Sequence, residues 1–323
     1  MAKVIYGVIR QCDATDGTLK KRRNYLRFCT TNSPGSISRK TLPKGFFRLL
    51  KRIYPELRHK FQLKGKQAYT KMEEYYAERL NGLLRDKIID QYDSRDLINS
   101  KIIGFGGSAS VYVANWKNTS TMYAIKKSVN NKEVCLTFRA NSHENIIQFR
   151  GVTKLKDEKK YSLILEYADG GTLGKYLRNN TIEWKNQLRF AKEIASAICW
   201  LHDTKKIVHG DLHPNNILVH KDAVKLADFG RSCLKGPGCY NTQVWGVVPY
   251  VDPKMLNQKI PYKINEKSDI YSLGVIFWEL TSRSSPFDGL EGDHIIYKIL
   301  SGVREEPVPN TNVKFIRLYQ SKV

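Results

Sequence analysis

Residues 209–230 read HGDLHPNNILVHKDAVKLADFG, and no other stretch constrains the chain as tightly. Asp211 and Asn216 share a loop in which Pro214 forbids a regular helix interior. The segments 217–220 and 223–227 are apolar and β-branched, which predicts two short strands with Lys221 and Asp222 at the turn between them. Asp228 follows the second strand, so the hairpin returns it to the side of Asn216. A carboxylate and an amide oxygen suit Mg²⁺, a hard cation that takes oxygen ligands and also binds substrate phosphates. Asp211 is left to accept a proton from an attacking hydroxyl. Singly, each of these residues reads as ordinary turn chemistry. Together, in this spacing, they read as a site for a metal-bound phosphate.

Two further features precede this stretch. Gly104, Gly106 and Gly107 lie in a turn between predicted strands, and glycines let backbone N–H groups approach a polyphosphate closely. The strand Met122, Tyr123, Ala124, Ile125, Lys126 then carries a lysine, with Lys127 on its opposite face. Taken as a set, these segments resemble the eukaryotic protein kinases. The family patterns are H-R-D-L-x-x-x-N and D-F-G for the first stretch, G-x-G-x-x-G-x-V for the glycine turn and V-A-I-K for the strand. Gly104, Gly106 and Val111 match the glycine pattern, and Ala109 replaces its third Gly. Gly210 stands where the family has Arg, and His213 where its serine/threonine members have Lys.

The resemblance implies an α+β, two-lobed kinase fold over residues 96–323, with a small lobe at about 96–168 and a large lobe at about 169–323. It implies ATP and Mg²⁺ as cofactors and a protein as substrate. Lys126 would contact the α- and β-phosphates, oriented by Glu133 on a helix over 132–140. Adenine would meet the backbone near Glu166 and Ala168, with Leu165 behind it and Ile103, Val111, Ala124 and Leu218 around the ring. For these apolar residues plain core packing is an equal reading. Asn216 and Asp228 would hold the metal, Asp211 would orient the acceptor, and His213 would face the transferring phosphate. Among kinases the likeness is to the tyrosine-kinase-like group, with serine/threonine ahead of tyrosine as acceptor.

The large lobe is expected to contain a helix over 184–202 and a buried, nearly all-apolar helix over 268–281. In that second helix Asp269 matches the family Asp that holds the catalytic loop from below. Another helix is expected over 293–301. The segment 246–254 resembles G-T-x-x-Y-x-A-P-E, with Val247 for Thr and Lys254 for Glu. The last helices of the fold are expected to be missing, together with the Arg that pairs with that Glu, which exposes apolar surface and lowers stability. Without an Arg at position 210, a phosphate on Ser232, Tyr240 or Thr242 has no such anchor, so activity is expected not to depend on one.

Residues 1–95 hold 22 Lys/Arg against 9 Asp/Glu, a larger share of the chain's net +23 than their length warrants. Such a field favours an acidic partner: nucleic acid, anionic lipid or an acidic protein. The run Lys20, Lys21, Arg22, Arg23 raises the nucleus as an alternative to the cytoplasm. Within this basic, partly helical region, helices are expected over 43–54, closed by Pro55, and over 67–91, with Met72, Tyr76, Leu80, Leu83, Leu84 and Ile88 on one face. No apolar run approaches the length of a membrane span. The six cysteines form no C-x-x-C pair, so neither a zinc site nor a disulfide framework is suggested, and Cys135 and Cys199 read as core residues. Oligomeric state is not legible. Two alternatives to the enzyme stay open: a pseudokinase or scaffold, motivated by the departures at 109, 210, 213, 247 and 254, and a nucleic-acid-binding N-terminus to which the kinase domain is secondary.

Overall fold

The computed structural model describes residues 55–105, 109–155, 158–236, 246–257 and 262–320, with side chains from residue 70 onward. The expectations for the 20–23 run, the 43–54 helix, Gly106, Gly107, Tyr240 and Thr242 lie outside the described residues.

The first described element is α1, Pro55–Arg85. Two boundaries differ from the sequence expectation. The helix begins at Pro55 rather than at 67, and a first-turn proline there gives up only an N–H that has no helical partner. The C-terminal end comes at Arg85 rather than at 91. Lys87 there adopts φ +53, and the amides of Lys87 and Ile88 bond back to Leu84 and Leu83. Ile88 is therefore turned outward, and Ile89 takes the buried position instead.

Six strands follow in one sheet: β1 (Gln91–Tyr92), β2 (Leu97–Phe105), β3 (Ser110–Trp116), β4 (Met122–Val129), β5 (Phe149–Thr153) and β6 (Tyr161–Glu166), in the order β1-β5-β6-β4-β3-β2. Between β4 and β5 runs α2, Asn131–Ala140. Asn130 caps it by accepting from the Glu133 amide at 2.8 Å. α1 packs on α2 and the sheet: Tyr76, Leu80 and Leu84 share one buried cluster with Val134, Cys135, Ile147 and Val152.

The large lobe is helical. After β6 come α3 (Leu173–Asn179) and α4 (Trp184–Cys199), the latter continued by a π turn at Trp200–Lys205. Then follow β7 (Ile207–Val208), a 3₁₀ turn at Pro214–Asn216, the hairpin β8 (Ile217–His220) and β9 (Ala223–Leu226), and β10 (Cys233–Leu234), which pairs antiparallel with β7. The predicted turn at Lys221 and Asp222 is realised, both residues having positive φ. The chain continues through α5 (Pro253–Leu256), α6 (Glu266–Ser282), α7 (Gly292–Leu300) and α8 (Val313–Gln320). α6 is the central helix. Asn265 and Ser268 form a capping box at its start, and Leu273, Ile276, Phe277 and Leu280 are all but fully buried. Phe315 of α8 is buried against Phe277 and Trp184. Tyr297, Leu300, Val303 and Val313 are exposed. Cys135 and Cys199 carry thiols, whereas Cys233 is disulfide-bonded, which the cysteine spacing did not suggest.

Leu80 is 1% exposed, so Leu80→Ala should cost about 2–5 kcal/mol of stability by leaving a cavity between α1 and α2. Ile88→Ala, at an outward-facing position, should cost under about 0.5 kcal/mol. Urea unfolding midpoints measure both, and equal midpoints would show that α1 is not part of the core.

Candidate active site

The β-sheet register fixes the first cluster. Lys126 lies opposite Val111 on β3 and Leu163 on β6. Its side chain turns inward, while that of Lys127 goes to the other face and sits over the Tyr112 ring. Inside, Lys126 Nζ is 2.7 Å from Glu133 Oε1 and 2.7 Å from Asp228 Oδ1. Lys126 and Glu133 are both nearly buried. Burial alone would lower the Lys126 pKa, but the charges of Glu133 and Asp228 outweigh it and hold the ammonium above the usual lysine range. Burial likewise works against the Asp228 carboxylate, and Lys126, with the Gly230 amide, holds it below the usual range. α2 is a regular helix at Glu133, whose side chain is buried against Lys126.

The hairpin sets the second cluster. Strand pairing of Ile217 with Leu226, extended by the Ala227 amide donating to the Asn216 carbonyl at 2.8 Å, brings Asp228 to the end of the strand beside Asn216. Asn216 Nδ2 donates to the Asp211 carbonyl at 2.8 Å, with Asp211 Oδ2 at 3.4 Å. With the amide nitrogen donating, the oxygen is the atom of that group that can ligate a cation. Asn216 and Asp228 therefore offer the oxygen donors that a hard divalent cation prefers. Among the described residues no three His, Cys, Asp or Glu side chains converge, so a cation here would complete its shell from phosphate and water.

Below the loop, Asp269 of α6 accepts from the His209 amide at 2.8 Å, the Gly210 amide at 2.8 Å and the His202 ring at 2.7 Å. Its carboxylate is fully enclosed. Burial would raise its pKa. The hydrogen bond and charge of His202, then His209 and the Gly210 amide, outweigh that and hold the carboxyl below the usual range. Phe229 is buried against His209, which seats the segment behind Asp228 in the large-lobe core.

The apolar candidates also meet. Ala124, Leu165 and Ala168 are buried in one cluster, with Val111 and Leu218 packed against it. Ile103 is 45% exposed at the rim, and Gly104 pairs with Val111. The Glu166 amide already donates to Gln148 O at 2.8 Å, so any adenine contact at Glu166 is restricted to its carbonyl. Its side chain turns away to Lys225 and His220. On the acceptor side, Asp211 opens on a small cavity that also touches His213, Gly246, Val247 and Tyr250. His213 Nε2 is 3.9 Å from Asp211 Oδ1, and burial pushes the His213 pKa down, which favours the neutral ring.

Several contributors were not anticipated. Arg231 Nε lies 3.3 Å from Asp211 Oδ2. Glu279 of α6, 1% exposed, receives both Arg178 and the Tyr250 hydroxyl, and so ties the 246–254 segment to the central helix. Lys254, at the position of the family Glu, is exposed. Ser232, offered as a phosphorylation site, is fully buried and donates to the His209 carbonyl at 2.8 Å, so in this fold a kinase cannot reach it. Such long-range partners leave no local spacing to read, although Glu279 inside an apolar helix was a visible anomaly.

The sequence model of the protein kinase domain matches residues 97–319. Mitogen-activated protein kinase kinase kinase dlk-1 of Caenorhabditis elegans is 31% identical over 211 residues, 64% of this chain and 22% of that protein. Mitogen-activated protein kinase kinase kinase 13 of Homo sapiens is 32% identical over 212 residues, 65% of this chain and 21% of that protein. The chain thus spans less than a quarter of the length of these relatives.

Removing the Asp269 carboxylate strands three buried donors, so Asp269→Ala should cost about 3–5 kcal/mol. Because the folded pKa values of Asp269 and Asp228 are depressed, their stabilisation is complete above the unfolded Asp value of about 3.9 and fades as pH falls through the folded values. Melting temperature should therefore fall on acidification below about pH 4, and Asp269→Asn should flatten that fall. An identical acid profile in the variant would remove Asp269 from the linkage.

Proposed function

The chain belongs to the protein kinase family, in its tyrosine-kinase-like group, and on that premise we propose that it moves the γ-phosphoryl of ATP to a serine or threonine hydroxyl of a protein substrate. The observation that carries this reading is Lys126 within 2.7 Å of both Glu133 and Asp228, with Asp211 and Asn216 on the adjoining loop. A non-catalytic scaffold needs no buried Lys126–Glu133 pair that also reaches Asp228.

Lys126, aligned by Glu133, positions the α- and β-phosphates, together with the backbone around Gly104. Ala124, Leu165, Leu218, Val111 and Ile103 enclose the adenine, which the Glu166 carbonyl and the Ala168 backbone orient. Asn216 and Asp228 hold Mg²⁺, which when bound neutralises phosphate charge. Asp211 orients the acceptor hydroxyl and takes its proton. The hydroxyl oxygen forms the new bond to the γ-phosphorus, the bond from that phosphorus to the β,γ-bridging oxygen breaks, and ADP leaves. Catalysis of this kind is mostly positioning and charge neutralisation. His213, favoured as a neutral ring, contributes less to that neutralisation than a lysine would.

The relatives' names make them kinases of kinase kinases, so another protein kinase is the first substrate class to try. The basic excess of residues 1–95 supports an acidic partner through charge alone. A cytoplasmic setting, with the nucleus as the alternative, belongs to the same reading. Among the described residues no helix is long and apolar enough to cross a membrane.

ATP-dependent phosphorylation of a peptide library tests the proposal. Asp211→Asn should lower kcat by about 10²–10⁴-fold. Undiminished transfer in that variant would remove Asp211 from the chemistry, and no transfer by the native chain would favour a scaffold. Phosphatase-treated protein should keep its activity, since Ser232 is enclosed and position 210 carries no Arg. A kinase that is inert until phosphorylated would contradict this.

A further inference from the structure

We infer that Arg231 is a positioning residue for phosphoryl transfer, supplying from the activation segment, the stretch that runs from Asp228 to about 254, the cation that faces the acceptor carboxylate of Asp211. The inference rests on the phosphoryl-transfer reading above and adds a residue that neither the sequence motifs nor the family match assigns.

The first observation is which cations stand near Asp211. Lys126 is committed to Glu133 and Asp228. His213 Nε2 is 3.9 Å away on a buried ring that favours the neutral form. Arg231 Nε, at 3.3 Å from Oδ2, belongs to a group that is charged at any working pH. A guanidinium carries five donors in a fixed fork, so one can hold a carboxylate while others face a phosphate oxygen.

The second observation is how the two carboxylate oxygens are divided. Oδ2 faces Arg231 Nε and Asn216 Nδ2. Oδ1 looks toward His213 and Gly246. Gly246 has φ +120, and a Cβ there would stand 3.1 Å from Oδ1. The glycine thus leaves open the approach that an acceptor hydroxyl must use. Arg231 and Asn216 fix one oxygen, and the other is presented to the substrate.

The third observation explains why the cation comes from position 231. A Cβ on Gly210, at φ +78, would stand 2.9 Å from Ile264 Cδ1 and 3.1 Å from the Arg231 carbonyl. The activation segment therefore packs directly on the backbone at Gly210, a place that any larger side chain would occupy. Its neighbours hold it there: Phe229 is buried, and Ser232 donates to the His209 carbonyl. Arg231 lies between these two anchors, with its side chain one-third exposed to solvent and its Nε 3.3 Å from Asp211 Oδ2.

Steady-state kinetics of the full chain test this with Arg231→Gln, Arg231→Lys and the double variant Arg231→Gln/His213→Lys, beside Asp211→Asn. Arg231→Gln should lower kcat by about 10²-fold, the scale of a misplaced reacting group, and leave KM for ATP within about twofold. Arg231→Lys should recover much of the loss, as should the double variant, which returns a cation to Asp211 from the other side. Melting temperatures should not change. A kcat for Arg231→Gln equal to or above the native value would overturn the inference, the latter marking Arg231 as a clamp on the base. Equal loss in Arg231→Lys and Arg231→Gln, with earlier melting, would overturn it in favour of a structural role. If Asp211→Asn is fully active, or the native chain is inert, the phosphoryl-transfer reading itself fails and takes this inference with it.

Discussion

A single buried carboxylate organises the large lobe. Asp269 sits on the central helix α6 and accepts from two consecutive backbone amides of the catalytic loop and from His202. A charge so enclosed is tolerable only if its hydrogen bonds are complete, and each donor is equally in need of it. The loop therefore has one low-energy position relative to α6. Phe229, seated against His209, extends that constraint to the segment carrying Asp228. Asp211 and Asn216 inherit their placement from below, and Asp228 inherits its own from the β8–β9 hairpin and this core contact.

The small lobe reaches the same point from above. Lys126 bridges β4, α2 and the large-lobe segment at Asp228. Two carboxylates around one ammonium compensate a burial that would be costly for Lys126 or Glu133 alone. Such a pair depends on α2 staying close, and α2 is pressed against the sheet by α1 through Tyr76, Leu80 and Leu84. All of α1 lies before the residues matched by the kinase family model, which begin at 97. A helix from outside the matched domain thus supports, through apolar contact, the element that carries Glu133.

Much of this was legible because kinase chemistry writes its polar groups at short, fixed spacings. The turn at Lys221 and Asp222 and the placement of Asp228 at the end of β9 follow from local pattern, and the capture of the loop by Asp269 from the family resemblance. Much of what was illegible involves partners far apart in sequence. Arg178 meets Glu279 across 101 residues, and no periodicity announces such a pair. Arg231 sits beside a recognised motif, yet its significance depends on where Asp211 lies. The start of α1 was placed too late because the apolar periodicity begins well after Pro55, and its end too late because the periodicity runs on past the turn at Lys87. Side-chain direction also escaped the pattern. Glu166 could be placed at the hinge, but its turn away toward Lys225 and His220 required the fold.

The departures from the family pattern are better understood as linked than as independent losses. Lys254 cannot form the family's ion pair, and it is exposed, so no buried charge is left stranded. The same stretch is held instead by Tyr250 and Arg178 converging on Glu279, a carboxylate that also sits on α6. Gly210 removes a cation from the loop, and the space it vacates is where the Arg231 backbone packs. His213 removes another, and Arg231 stands on the other oxygen of the same carboxylate. A chain drifting away from catalysis would be under no constraint to keep a cation at Asp211 once two had gone. That one remains, on a segment anchored at both sides by Phe229 and Ser232, argues that the charge at this carboxylate is still required.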